Sequence, residues 1–168
     1  MEKPIVNKVA QSPLVNLSLD EFYPKGVRVI IDLKDYLEQG LVLREKEFRK
    51  RLKETDWKVF KDQYTGIHCS TDAIIPIWAF MLLASCLKPF AKKVAFGDRE
   101  ALETAIFHDA LNTINLELYR DKPVLLNGCG KTPIPVSAFV EVTEKLLPVV
   151  KSLMFGEACS SVPVYKKQ

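Results

Sequence analysis

The sequence predicts an α/β fold: a mainly parallel sheet with flanking helices, built on a duplicated βαβ unit. Short β-branched or apolar runs alternate with longer helical stretches, the pattern of parallel strands joined by crossover helices. In addition, "GIHCSTDAIIPIWAF" (66–80) and "NGCGKTPIPVSAF" (127–139) share a cysteine, a polar turn and the phrase Ile-Pro-x-x-Ala-Phe.

Each element has its own reason. "VRVIIDL" (27–33) is the pattern of a strand buried on both faces. A mixed-charge helix follows over 45–53, with Phe48 and Leu52 four residues apart on its buried stripe. "YTGIHCS" ends a strand near Cys69, and Ser70, Thr71 or Asp72 can cap an apolar helix over 73–87 that reads as buried on most sides. "KKVAFGD" is a strand ending at Gly97, and Asp98 can start a helix with Leu102, Ile106, Ala110 and Leu111 on one stripe. "KPVLLNGC" is the next strand, and Thr132 with Pro133 opens a helix running toward Met154. "FGEACSSVPVYKK" is extended and carries a proline, as edge strands and arms do.

At 168 residues and 48% hydrophobic, the chain suits one domain spanning 1–168. "MEKPIVNKVAQSPLVNL" has no charged start leading into an apolar run, and the stretch 73–87 is shorter than the roughly 20 residues of a membrane span, so a cytoplasmic protein without membrane contact is expected. A net charge of +3 is too small to argue for nucleic acid, and the basic run 44–61 is laced with glutamates like a solvated helix face. A homo-oligomer is left open, as is the identity of any small-molecule ligand.

Sliding the chain along itself by 59 residues superposes 75–98 on 134–157 with nine identities in 24 ungapped positions, among them Pro76 on Pro135, Phe80 on Phe139 and Gly97 on Gly156. The internal repeat covers about 66–98 and 126–157. Right-handed βαβ crossovers align the carboxyl ends of their strands along one edge, where open α/β sheets bind ligands. Cys69, Asp98, Cys129 and Glu157 would each follow directly on a strand and line that edge, with Cys159 two residues further on.

Three thiolates and a fourth ligand complete a tetrahedron around zinc, and soft sulfur also suits iron. The expected metal site is therefore Cys69, Cys129 and Cys159, with Asp72 or His68 fourth and zinc or iron as cofactor. No C-x-x-C pair supports it. Two alternatives stand beside it: a structural or interaction protein whose cysteines pack, as Cys86 does within its apolar helix, and a thiol-dependent enzyme or iron–sulfur-related factor. Thiol catalysis needs a base, and the two histidines are His68 and His108, the latter in mid-helix. Whether the protein is an enzyme stays open. "NGCGKTP" lacks the full phosphate-loop spacing, although an anion at that helix start is physically reasonable.

Taken together, "FYPKGVRVIIDLKDYLEQGLVL", "CSTDAIIPIWAFMLLA", "KKVAFGD", "NGC" and "FGEACSSVPVYKK" resemble a bacterial protein family described only as a domain of unknown function. The resemblance covers nearly the whole chain and implies a bacterial, cytoplasmic, single-domain protein; it implies no activity. "HCSTDAI" and "FGEACSS" are also similar to phrases of iron–sulfur scaffold proteins, in a different order and spacing, which is a chemical analogy.

Overall fold

A computed structural model describes residues 14–128, 130 and 132–168. In chain order the strands are β1 (Val15–Ser18), β2 (Arg28–Asp32), β3 (Tyr64–His68), β4 (Lys93–Phe96), β5 (Pro123–Asn127), β6 (Ser152–Glu157) and β7 (Ser160–Lys166). The helices are α1 (Glu45–Glu54), α2 (Ile77–Leu87), α3 (Arg99–Leu111) and α4 (Val136–Leu146). Short 3-10 turns lie at Leu19–Phe22, Leu33–Tyr36, Trp57–Phe60 and Leu116–Tyr119. The fold is mixed α/β with two largely parallel sheets.

The chain divides into two compact units, one made by Pro24–Ile106 and the other by the chain on either side of it, up to Tyr23 and from Phe107. The first, the inner unit, has a three-stranded parallel sheet in the order β2-β3-β4. Its middle strand is buried from Tyr64 to Ile67, as a strand covered on both faces must be. On one face Ile31 and Ile67 pack with Phe48 and Leu52 of α1 and with Ala79, Leu83 and Leu87 of α2. On the other, Tyr64, Ile30 and Ala95 pack with Leu102 and Ile106 of α3. Gly66 permits this closeness, because a Cβ there would lie 2.7 Å from Ile30 Cδ1 and 3.0 Å from the Gly97 carbonyl. Gly97 itself has a φ of +119°, the turn that sends the chain from β4 into α3. The Asp98 carboxylate then accepts from the Ala101 N–H, capping α3 as its position suggests.

A buried ion pair ties β2 to α3. Arg28 Nε donates to Glu103 Oε1 at 2.9 Å and Nη2 to Oε2 at 3.2 Å, with the two side chains 3% and 8% exposed. The guanidinium also lies 4.9 Å from the centre of the Tyr64 ring. Removing one partner of such a pair costs about 3–5 kcal/mol, because the other charge stays buried.

The outer unit has the order β1-β5-β6-β7, parallel except that β7 runs antiparallel to β6. Leu17, Val124, Leu126 and Leu153 of its strands pack with Phe107 and Leu111 of α3 and with Ala138, Val142 and Leu146 of α4.

Several expectations change. The helices begin at Ile77 and Val136, after Pro76 and Pro135, rather than near residues 73 and 132. A proline disfavours the helical region for the residue before it, so Ile75 and Ile134 cannot join the helix. Strand β2 is buried only at Ile31, because it is an edge strand and not a central one. Of the residues on these helices that the sequence assigns to the core, Leu87 and Leu146 are fully buried, whereas Trp78, Phe80 and Phe139 are only half-buried against it. α2 is not shielded on most sides: Ile77 is 79% and Met81 66% exposed. Strand β1 and the separation into two sheets have no counterpart in the sequence reading.

Candidate functional site

At the carboxyl edge of the inner sheet, Asp32 ends β2 opposite His68, which ends β3. The register brings His68 Nε2 to 3.7 Å from Asp32 Oδ2. Asp32 Oδ1 accepts from the backbone N–H of Lys34 (3.0 Å) and of Ser70 (3.1 Å), and the Lys34 ammonium lies 3.4 Å from Oδ2. Burial pushes this carboxyl up, but the Ser70 hydroxyl and these backbone donors outweigh it and hold the pKa at about 2. Asp32 is thus a fixed negative charge with its donors already in place. The sequence does carry a trace of it, an acid closing an apolar strand, but its donor Ser70 is 38 residues away.

The nominated residues fall as follows. Cys69 follows β3, is half-buried against the inner core, and has its Sγ 3.3 Å from Thr71 Oγ1. Its neighbour His68 faces Asp32 instead, as alternation along a strand requires. Asp72 is exposed in the loop before α2 and does not cap that helix, whose N-cap is Pro76. Cys129 lies outside the described residues. Cys159 is exposed in the two-residue turn between β6 and β7. Asp98 is the second residue after β4, and Glu157 closes β6 from within it. The 59-residue offset pairs Cys69 with Gly128 and Ser70 with Cys129, so the two cysteines are one position out of step. The tail does not fold over the carboxyl edge; it turns back along β6 as β7. Among the described residues, no group of three or more His, Cys, Asp or Glu side chains is placed to hold a metal ion.

His108 is exposed on α3, with Nδ1 3.1 Å from Glu141 Oε1 and Nε2 3.2 Å from Asn112 Nδ2. Cys86 packs against the inner core, as its place in α2 suggests. In the outer unit, Asp20 is the acid that sequence reasoning misses. Its Oδ1 is buried without a hydrogen-bond partner among the described residues, and a Cβ on Gly130 would lie 2.9 Å from Oδ2. The Asp20 carboxylate lies against Gly130, and α4 begins only at Val136 rather than at residue 133; Lys131, the cation of the expected anion site, lies outside the described residues.

Each unit also carries an apolar groove. Between α2 and β4 of the inner unit runs a groove of about 530 Å³, lined by Ile67, Phe80, Met81, Ala84, Val94 and Phe96 among others. Phe96 is 74% exposed, with its ring edge-to-face on Phe80 at 5.3 Å. The outer unit has a groove of about 400 Å³ between α4 and β6, where Phe139 and Phe155 meet edge-to-face at 5.7 Å. There Val164 of β7 supplies one wall. No helix among the described residues is long and apolar enough to cross a membrane.

Comparison with curated proteins and with solved structures gives no match. A family model does match, over residues 3–167, and the chain belongs to the family described as "Protein of unknown function (DUF2480)".

Proposed function

We propose that this protein is an interaction module whose inner unit docks an extended polypeptide strand in the groove between α2 and β4. The observation that carries this is the charge-free helix α2 presenting Ile77 and Met81 to solvent beside the exposed Phe96 of an edge strand. Exposed apolar surface next to a strand edge with no second neighbour among the described residues is what strand-addition sites offer: main-chain hydrogen bonds for affinity and side-chain pockets for specificity. The outer unit supports the reading, since β7 lies antiparallel on β6 and lines the groove there. A fluorescent peptide with the β7 sequence SSVPVYK should bind the full chain saturably at low protein concentration, measured by anisotropy, and Phe96→Lys should weaken it at least ~10-fold. No saturable binding up to about 1 mM sinks the reading.

The same comparison favours descent of both units from one duplicated unit. Trp57–Phe60, Tyr64–His68 and Ile77–Leu87 correspond at the 59-residue offset to Leu116–Tyr119, Pro123–Asn127 and Val136–Leu146. Asp62 and Asp121, also 59 apart, both have positive φ. On this reading the unit is larger than βαβ and includes the preceding strand, 3-10 turns and helix.

A second reading, a zinc or iron site, draws on the buried Asp20 Oδ1, which has no hydrogen-bond partner among the described residues. Asp20, Cys129 and Cys159 all belong to the outer unit's part of the chain, and thiolates with a carboxylate suit either metal. Elemental analysis of protein purified without a histidine tag should then find metal that Asp20→Asn or Cys159→Ser releases and Cys86→Ser keeps. Metal-free wild-type protein ends this reading and leaves the packed-thiol alternative.

A further inference from the structure

Three features of β4 specify an occupant for the inner groove; this step rests on the docking reading. β4 is the outer strand of its sheet, with β3 on one side only among the described residues. An edge strand offers N–H and C=O groups to a new strand. Val94 and Phe96 alternate along it, so both stand on the groove side.

The charges at its ends decide the partner. Align two copies of β4 antiparallel about a two-fold axis at Ala95. Val94 of each copy then faces Phe96 of the other, and the lysine end of each strand, Lys92 and Lys93, comes to the end of the other, where the chain turns at Gly97 into Asp98. The two Val94–Phe96 pairs are apolar cross-strand contacts that stabilise the ladder, and the lysines of one copy approach the Asp98 end of the other, where no like charge meets them. A parallel in-register alignment would set lysine on lysine. The antiparallel arrangement is also self-complementary and closed, so it uses up both edges and does not propagate. Within the chain, β6 follows α4 as β4 follows α2, and β6 does carry an antiparallel neighbour, β7.

We propose that the occupant is a second copy of this chain: β4 pairs with β4 across a two-fold axis, joining the two three-stranded sheets and covering Phe96, Ile77 and Met81.

Sedimentation equilibrium of the full chain over about 1–100 µM should give twice the 19.1 kDa chain mass. Phe96→Lys and, separately, Met81→Glu should raise the dimer dissociation constant at least ~10-fold with unchanged circular dichroism. Both side chains are exposed, so neither change threatens the fold. A monomeric wild type at about 100 µM overturns the proposal, as does a dimer that neither variant weakens. If that monomer still binds the SSVPVYK peptide, only the choice of occupant fails. If it binds no peptide, the docking reading fails with it.

Discussion

Asp32 illustrates what a single residue does at a strand end. Its carboxyl, at about 2 in the folded chain against an ordinary 3.8, is held down by the Ser70 hydroxyl and by the Lys34 and Ser70 N–H groups despite its burial. A depressed folded pKa gives stability that is complete above the unfolded value and lost as pH falls through the folded one. The window is therefore between about pH 4 and pH 2, and the amount at stake is about 2 kcal/mol. Urea denaturation across that window should show wild-type stability falling with acid, and Asp32→Asn should remove this part of the slope. An unchanged slope would mean that the donors do not hold the charged form. His68 and Cys69 are legible from the sequence as a strand-end pair facing opposite ways, whereas Asp32 shows there only as an acid closing an apolar strand, because its partner Ser70 arrives through the β2·β3 register.

Among the elements, α2 and α4 are read as helices in the right part of the chain, but their starts are set about four residues early and their environment is not legible. Their prolines mark the starts, and their spacing places Ala79, Leu83 and Leu87, or Ala138, Val142 and Leu146, on one stripe. Along α2 every residue is apolar or small, so periodicity cannot separate the core face from the open one. The structure separates them: Leu83 is fully buried and Met81 is 66% exposed. Chemical denaturation should find Leu83→Ala costing about 2–5 kcal/mol and Met81→Ala within about 0.5 kcal/mol of wild type. Equal costs would show that the helix presents a different face. The exposed stripe is the candidate site, and it comes into view only once the buried stripe is known.

For the whole molecule, β7 is the element with most to say. It covers the edge of β6 and ends the sheet β1-β5-β6-β7. Deleting residues after Glu157 would strip that strand from β6, and thermal unfolding should shift down by at least about 5 °C. This loss is expected with or without metal in the buffer, since it follows from strand pairing. A melting temperature unmoved by the deletion would mean that β7 adds nothing to the fold.

The α/β class, the largely parallel pairing, the alternation of strands and helices from β2 to α4 and the 59-residue sequence correspondence are determined by the sequence alone, because each rests on local pattern or on comparing one stretch with another. What only the tertiary structure decided is which strands share a sheet and which apolar faces stay open. Val15–Ser18 is too short for a pattern of its own, and it is a strand because it lies in register with Val124–Asn127, more than a hundred residues on. Pairing of that kind is a sum of distant hydrogen bonds and side-chain contacts, and no local window contains it. The exposure of Phe96 has the same origin: a phenylalanine in a strand reads as core until the sheet is known to end there.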